Sequence, residues 1–330
     1  MKIINQFGLA VVCLICAGCQ TAAVPTPTQP PTVTRQQIAT QRPTQTPRPV
    51  DITTTLVVTP SRTALPTVTQ PPTATTPPLD FTPAPVPDAN ISTIGQSVDE
   101  RNLVVHEFGS GGSTILLVGG IHGGWEANTI VLMNELIDHF AANPTDILPE
   151  VSLHIVPVMN PDGAATGSDL DSRFNANNVD LNRNWACGWQ AEAVWRDVPV
   201  DAGAGPFSEP ETRAVAAYVE RVNPQAALFY HSAAGGVFAG NCDQRPGEWR
   251  SGRLEAIYGE VAGYTYGETF SAYPVTGTAP SWADGLGIAS VDVELLSARN
   301  SEFERNLRAV IAVQCWVAGP DAAQNRLCAP

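Results

Sequence analysis

From residue 91 onward, five apolar runs alternate with three amphipathic stretches. Runs at 103–106 and 114–118 have strand character, and the second leads into Gly119-Gly120. Between 128 and 142 the apolar residues Ile130, Leu132, Met133, Leu136, Ile137 and Phe140 recur at helical spacing. A strand-like run at 151–158 follows, then a helix predicted over 209–222. That helix opens on Ser208-Glu209-Pro210-Glu211, with proline in the first turn, where its missing N–H removes no intrahelical bond. Runs at 226–230 and 289–295 read as further strands, and 302–317 as a closing amphipathic helix. Such alternation predicts an α/β sandwich on a mixed, largely parallel sheet. Ligands of such folds bind beyond the carboxyl ends of strands. His122 and His231 both stand just after a predicted strand, which points to one site.

The first 90 residues break this pattern. The N-terminal segment carries a single positive charge, Lys2, an apolar run from Phe7 to Cys16, and small residues leading to Cys19. The run is shorter than the roughly 20 residues a spanning helix needs. Residues 1–19 are therefore expected to be a secretory signal ending at a lipidated cysteine, Cys19, which leaves an extracytoplasmic, membrane-anchored lipoprotein. Residues 20–90 are rich in Pro, Thr, Gln and Ala, and hold 16 of the 29 prolines. So little apolar surface cannot offset the conformational entropy of folding, and this stretch is expected to be a disordered stalk, not an inhibitory prosegment. Residues 91–330 are long enough for one well-cored catalytic domain.

Charge and cysteine usage narrow the function. Taking Lys2 and four stalk arginines from 18 basic residues, and three stalk aspartates from 32 acidic ones, leaves 13 and 29, a net charge of about −16. That excess argues against nucleic acid and against adhesion to anionic lipid. Cys13 and Cys16 lie in the signal and Cys19 takes the lipid, so Cys187, Cys242, Cys315 and Cys328 remain. An even number outside the cytoplasm allows two disulfides in three pairings. None has CxxC spacing, so a cysteine-built zinc site is not expected.

The chain has five histidines, His106, His122, His139, His154 and His231. His122 lies in Gly119-Gly120-Ile121-His122-Gly123-Gly124-Trp125-Glu126, where a glycine turn can bring a histidine and a carboxylate to one metal ion. His231 can supply a third ligand. Two histidines, a glutamate and an open water position are the donor set of a catalytic zinc, not a structural one. Residues 173–185 then place Arg173 and Arg183 among several asparagines. Arginine grips carboxylate bidentately and neighbouring amides complete the recognition. The alternative for this stretch is a polar loop held by its own side chains.

Further motifs follow in order: Asn160-Pro161-Asp162-Gly163, Val179-Asp180-Leu181-Asn182-Arg183-Asn184, Phe207-Ser208-Glu209-Pro210-Glu211-Thr212, His231-Ser232, Tyr273 with Gly277 and Trp282, and Val293-Glu294-Leu295. Over roughly 92–316 the sequence thereby resembles the zinc carboxypeptidase family, the carboxypeptidase A-like metallopeptidases. The resemblance implies a three-layer α/β/α sandwich, one Zn2+ per domain, and hydrolysis of the C-terminal bond of peptides. It implies His122, Glu126 and His231 as zinc ligands and Asp180 as the carboxylate that orients a ligand histidine. It further implies that Arg173 polarises the scissile carbonyl, that Asn182 and Arg183 clamp the terminal carboxylate, and that Tyr273 closes over substrate. Glu294 is implied as the general base. Pro280 falls where the family's specificity residue sits; Asp243, after His231, is an acid that could favour basic side chains there, but is expected to lie at the surface. The chain departs from the family at one point: three residues, Gly123, Gly124 and Trp125, separate His122 from Glu126 where the family usually has two.

Two other readings fit the same motifs. One is a murein peptidase that cleaves γ-D-glutamyl–diaminopimelate bonds, and the other an inactive carboxylate-binding module. An inactive module has no physical need for His122, His231, Arg173 and Glu294 together, which argues against it. The expected partner is a peptide or murein peptide with a free carboxylate, and the protein itself is expected to be a monomer. Cys187 follows the carboxylate clamp and Cys242 follows His231, so we expect the pair Cys187–Cys242; Cys315 and Cys328 flank the closing helix and tail and are expected to form the other.

Overall fold

A computed structural model describes residues 90–242 and 249–328. The expected signal peptide, Cys19, the stalk to residue 89 and Asp243 lie outside the described residues. In chain order the strands are β1 (Asn90–Gln96), β2 (Asn102–Gly109), β3 (Ser113–Val118), β4 (Val151–Val156), β5 (Glu192–Trp195), β6 (Val198–Asp201), β7 (Ala226–Ser232), β8 (Val237–Ala239) and β9 (Ala289–Leu295). The helices are α1 (Ala127–Ala142), α2 (Pro161–Thr166), α3 (Pro210–Val222), α4 (Arg250–Ala262), α5 (Ala279–Gly285) and α6 (Phe303–Ala318).

Seven strands form one sheet in the order β1-β2-β4-β3-β7-β9-β8, while β5 and β6 make a separate hairpin. The central pairs β4–β3, β3–β7 and β7–β9 are parallel, and the pairs toward the two edges are antiparallel. β3 is apolar without alternation because both faces are covered. Ile115 and Leu117 join a core with Leu136 of α1, Leu254 of α4 and Val310 of α6. Leu116 and Val118 join the opposite core with Val219 of α3 and Ala283 of α5. Helices thus cover both faces, giving the three layers of an α/β/α sandwich. Among the described residues no helix is long and apolar enough to cross a membrane.

Several boundaries differ from the apolar pattern for identifiable reasons. The run at 151–158 ends as a strand at Val156, because Pro157 has no N–H to continue the ladder. Helix α4 is absent from the pattern because Gly252 and Gly259 interrupt it. A Cβ at Gly259 would lie 2.7 Å from the Tyr266 ring, so the glycine admits a close packing that periodicity does not register. Disulfides join Cys187 to Cys242 and Cys315 to Cys328, with Cα–Cα distances of 5.7 and 5.6 Å. The second ties α6 to the C-terminal tail.

Candidate metal centre

The parallel strands β3, β7 and β9 deliver their carboxyl ends to one place. His231 and Glu294 are register partners on β7 and β9, and His122 lies in the turn after β3. The residue that follows, Gly123, has φ +47, and an added Cβ would lie 2.5 Å from Ser172 O. At Gly124 an added Cβ would lie 1.7 Å from Gly167 O. Only glycines let this turn press against the 163–172 segment. The short 3-10 turn Gly123–Glu126 takes up the extra residue and leaves the Glu126 carboxylate facing inward, buried.

His122 Nδ1 is 2.9 Å from Glu126 Oε1, and His231 Nδ1 is 3.2 Å from both Glu126 Oε2 and His122 Nδ1. These ligand atoms lie within 4.8 Å of one another. Their outer nitrogens face acids: His122 Nε2 is 3.1 Å from Asp180 Oδ1, and His231 Nε2 is 3.1 Å from Asp292 Oδ1. A carboxylate on each Nε2 holds the proton there, which turns both Nδ1 lone pairs and the Glu126 carboxylate toward one point. Three converging electron-rich groups in a buried site call for a cation between them.

The same acid-rich setting favours a proton where that cation would sit. Burial opposes charge on His231, yet Asp292 and Glu126 outweigh it and hold the imidazolium well above the ordinary histidine range. Burial likewise works against the Glu126 carboxylate, but His122 and His231 prevail and keep it well below the usual range. Asp180, also buried, is held low by Arg173 and His122.

The remaining candidate residues surround this centre. Arg173 donates from Nη2 and Nε to Asp180 Oδ2 at 2.7 and 3.1 Å, lies 3.6 Å from Glu126 Oε1 through Nη1, and packs 5.0 Å from the Trp195 ring centroid. Arg183 is buried, and its guanidinium donates only to backbone oxygens: Nη1 to Asn182 O at 2.8 Å, Nη2 and Nε to Val194 O at 3.1 and 3.2 Å. Guanidinium has five N–H groups, so this cation keeps donors for a ligand and has no carboxylate partner among the described residues. Asn182 accepts from Ala279 N–H through Oδ1 at 3.0 Å, with Nδ2 3.2 Å from His231 Nε2. Glu294 Oε2 accepts from Ala234 N–H at 3.0 Å, and burial pushes its carboxyl up to about 7. Tyr273 stacks edge-on against Phe270, its phenol pushed up by burial, with Arg183 and Arg173 pulling the other way.

All of these except Asp180 line one cavity of about 1090 Å³, which Pro280 also lines. Asp292 and Glu255 add acidic groups to its wall. The three other histidines stand apart: His154 pairs with Ser152 and Tyr218, His139 with Asp146, and His106 is buried in β2. The asparagines of 173–185 serve both roles weighed for them. Asn175 and Asn177 donate to Glu209, and Asn184 holds Ala202 O and Ser208, so they brace the loop that presents Arg173 and Arg183.

Sequence reading missed Asp292 and the β5–β6 hairpin with Trp195. Asp292 was within reach, since it precedes Glu294 by two positions and so shares its strand face. Nothing local marks Trp195.

A family model described as zinc carboxypeptidase matches residues 84–306. The chain belongs to the zinc carboxypeptidase family. Carboxypeptidase B of Astacus astacus is 29% identical over 233 residues, covering 60% of this chain and 76% of that protein. Murein peptide amidase A of Escherichia coli K12 is 28% identical over 218 residues, covering 61% and 79%. The crystal structure of murein-tripeptide amidase MpaA from Escherichia coli O157 superposes with a TM-score of 0.53 at 25% identity, over 69% of this chain and 92% of that one. Bovine thrombin-activatable fibrinolysis inhibitor shares the fold, with a TM-score of 0.59 at 21% identity over 70% and 89%.

A zinc carboxypeptidase is a hydrolase whose cofactor is zinc, and the donor set here fits that ion. His122, Glu126 and His231 would hold it, leaving a position open for water or substrate. The lone-pair convergence described above is the feature that a bound cation resolves.

Proposed function

We propose that this zinc carboxypeptidase acts outside the cytoplasm and removes the C-terminal residue of peptides. The observation that carries the reading is Arg183: a buried cation, unpaired with any described carboxylate, opening on the same cavity as the metal ligands and Glu294. Such a group rewards a substrate that ends in a free carboxylate, because it gains a charge-assisted, two-pronged partner there. Asn182, its Oδ1 held by Ala279 N–H, turns amide hydrogens on Nδ2 to the same cavity, and Tyr273 stands at the cavity wall to cover the bound residue.

The cleavage chemistry follows from the same placement. When bound, zinc supplies a Lewis acid that polarises the carbonyl and acidifies water toward pKa about 7. Glu294 keeps Oε2 on Ala234 N–H, so Oε1 is the atom that takes a proton from the attacking water and returns it to the leaving amine. Arg173, fixed by Asp180 and Trp195, places positive charge where the carbonyl oxygen becomes negative. Asp180 and Asp292 keep the two histidines in the tautomer that binds metal.

The test uses matched dipeptides with a free or an amidated C-terminus. Arg183→Ala is expected to raise KM for the free acid by about 100-fold, the scale of a lost charged hydrogen-bonding partner, and to change amide cleavage little. Equal loss on both substrates would remove Arg183 from the clamp. A second reading, cleavage of γ-D-glutamyl–diaminopimelate bonds in murein peptides, is supported by the relationship to murein peptide amidase A. Murein tripeptide offered beside the dipeptides separates the two by kcat/KM.

We place the enzyme on the membrane through a lipid on Cys19, with residues 20–90 as a spacer. Cys19→Ser in the full chain is expected to shift the protein from the membrane fraction to the soluble one while kcat on soluble peptides holds. Retention on membranes would discard the anchor.

A further inference from the structure

The hairpin β5–β6 braces Arg173 through Trp195 and Arg183 through Val194 O, and it also forms one wall of the catalytic cavity. Trp195, its last β5 residue, lies 5.9 Å from Trp125 in an edge-on contact, and Trp125 is the residue next to the ligand Glu126. Two guanidinium groups lie over the Trp195 ring, Arg173 at 5.0 Å and Arg196 at 4.6 Å. Arg173 already serves Asp180. Arg196 has no carboxylate partner among the described residues, although the domain holds more than twice as many acids as arginines. The indole N–H groups of Trp125 and Trp195 also lack hydrogen-bond partners among the described residues, whereas those of Trp185, Trp189 and Trp249 reach backbone oxygens. All three residues, Trp125, Trp195 and Arg196, line the cavity. Unused donors and an unused cation on a stacked, preorganised platform match an acceptor-rich anion.

The direction of the substrate says which part meets that platform. Its terminal carboxylate goes to Arg183 and its last side chain toward Tyr273 and Pro280, so the scissile carbonyl sits at the metal ligands beside Arg173. The next residue toward the amino end then passes Arg173, whose ring neighbour is Trp195. We propose that Trp125, Trp195 and Arg196 form the subsite for the residue on the amino side of the cleaved bond, and that this subsite selects a free carboxylate there. The inference rests on the carboxypeptidase reading. Two sources carry the required chemistry: an aspartyl or glutamyl side chain in an ordinary peptide, and the α-carboxylate left free by a γ-linked glutamyl residue.

The test compares N-blocked dipeptides that share one C-terminal residue and carry α-L-glutamyl, γ-D-glutamyl, glutaminyl or lysyl before it. In zinc-loaded wild type, one of the two glutamyl substrates is expected to exceed the glutaminyl one by about tenfold in kcat/KM, the scale of one charge-assisted hydrogen-bonding partner. Which of them does so identifies the source. Arg196→Gln is expected to bring that substrate down to the glutaminyl level, and Arg196→Glu to turn the preference toward lysyl. The same ratios are read as Kd by calorimetry on zinc-loaded Glu294→Gln protein, so they exist whatever the turnover. Failure to turn over any dipeptide counts against the peptidase reading alone. Equal affinity for glutamyl and glutaminyl ligands, or a ratio unmoved in Arg196→Gln, overturns the subsite.

Discussion

Glu294→Gln is expected to lower kcat by about 10²–10⁴-fold, the range for losing a positioned general base, while zinc stays bound and KM stays near its wild-type value. Gln keeps the shape and can still accept the Ala234 N–H bond made by Oε2, but it cannot carry a proton from water to the leaving amine. The pH profile gives an independent reading of the same group. A base works ionised, so activity is present above its pKa and lost as pH falls through it. Burial pushes Glu294 up from 4.5 to about 7, and the charge of a bound zinc acts in the opposite direction. The acid limb of kcat for the loaded enzyme is therefore expected between about 4.5 and about 7, and the residual activity of Glu294→Gln should lack it. Wild-type kcat in Glu294→Gln would exclude this residue as the base.

Substituting His231→Ala, or His122→Ala, should abolish turnover by emptying the site. Each removal leaves two ligands and breaks the carboxylate–histidine pair behind the lost ring, Asp292 or Asp180. Losing an outer partner alone typically weakens metal binding by about 10–100-fold, so losing the ligand with it should exceed about 100-fold. Metal analysis after dialysis is expected to find zinc in the wild type and in Glu294→Gln but not in either alanine variant. Chelation of the wild type should reproduce the inactivity, and added zinc should reverse it. Stoichiometric zinc with normal turnover in His231→Ala would mean that the three-residue group is not the ligand set.

These two experiments separate the machinery into parts that the chain order makes visible to very different degrees. His122, Arg183 and Glu294 stand in short motifs whose residue types already suit their chemistry, and His122 and Glu294 also follow or end an apolar run. Local order carries that information because a strand's end is set by where its own apolar residues stop. The two-faced burial of β3 and the helical spacing of α1 are legible for the same reason: they are periodicities within one segment. Helix α4 and the β5–β6 hairpin are not, since their residues are held by neighbours distant in sequence, such as Tyr266 against Gly259 and Trp125 against Trp195.

The covalent order thus settles the α/β alternation, the acidic balance of the domain, the family motifs, and the composition that sets residues 20–90 apart. Folding in three dimensions settles which donors meet. Glu126 turns inward despite its extra preceding residue because Gly123 and Gly124 have no Cβ to strike the 163–172 segment. Asp292 reaches His231 because β7 and β9 pair in one particular register, where a slip by one residue would turn its side chain to the opposite face. Arg183 stays a buried cation without an acid partner among the described residues because backbone oxygens, one of them Val194 O on the hairpin, hold it in place facing the cavity, where a substrate carboxylate can meet it.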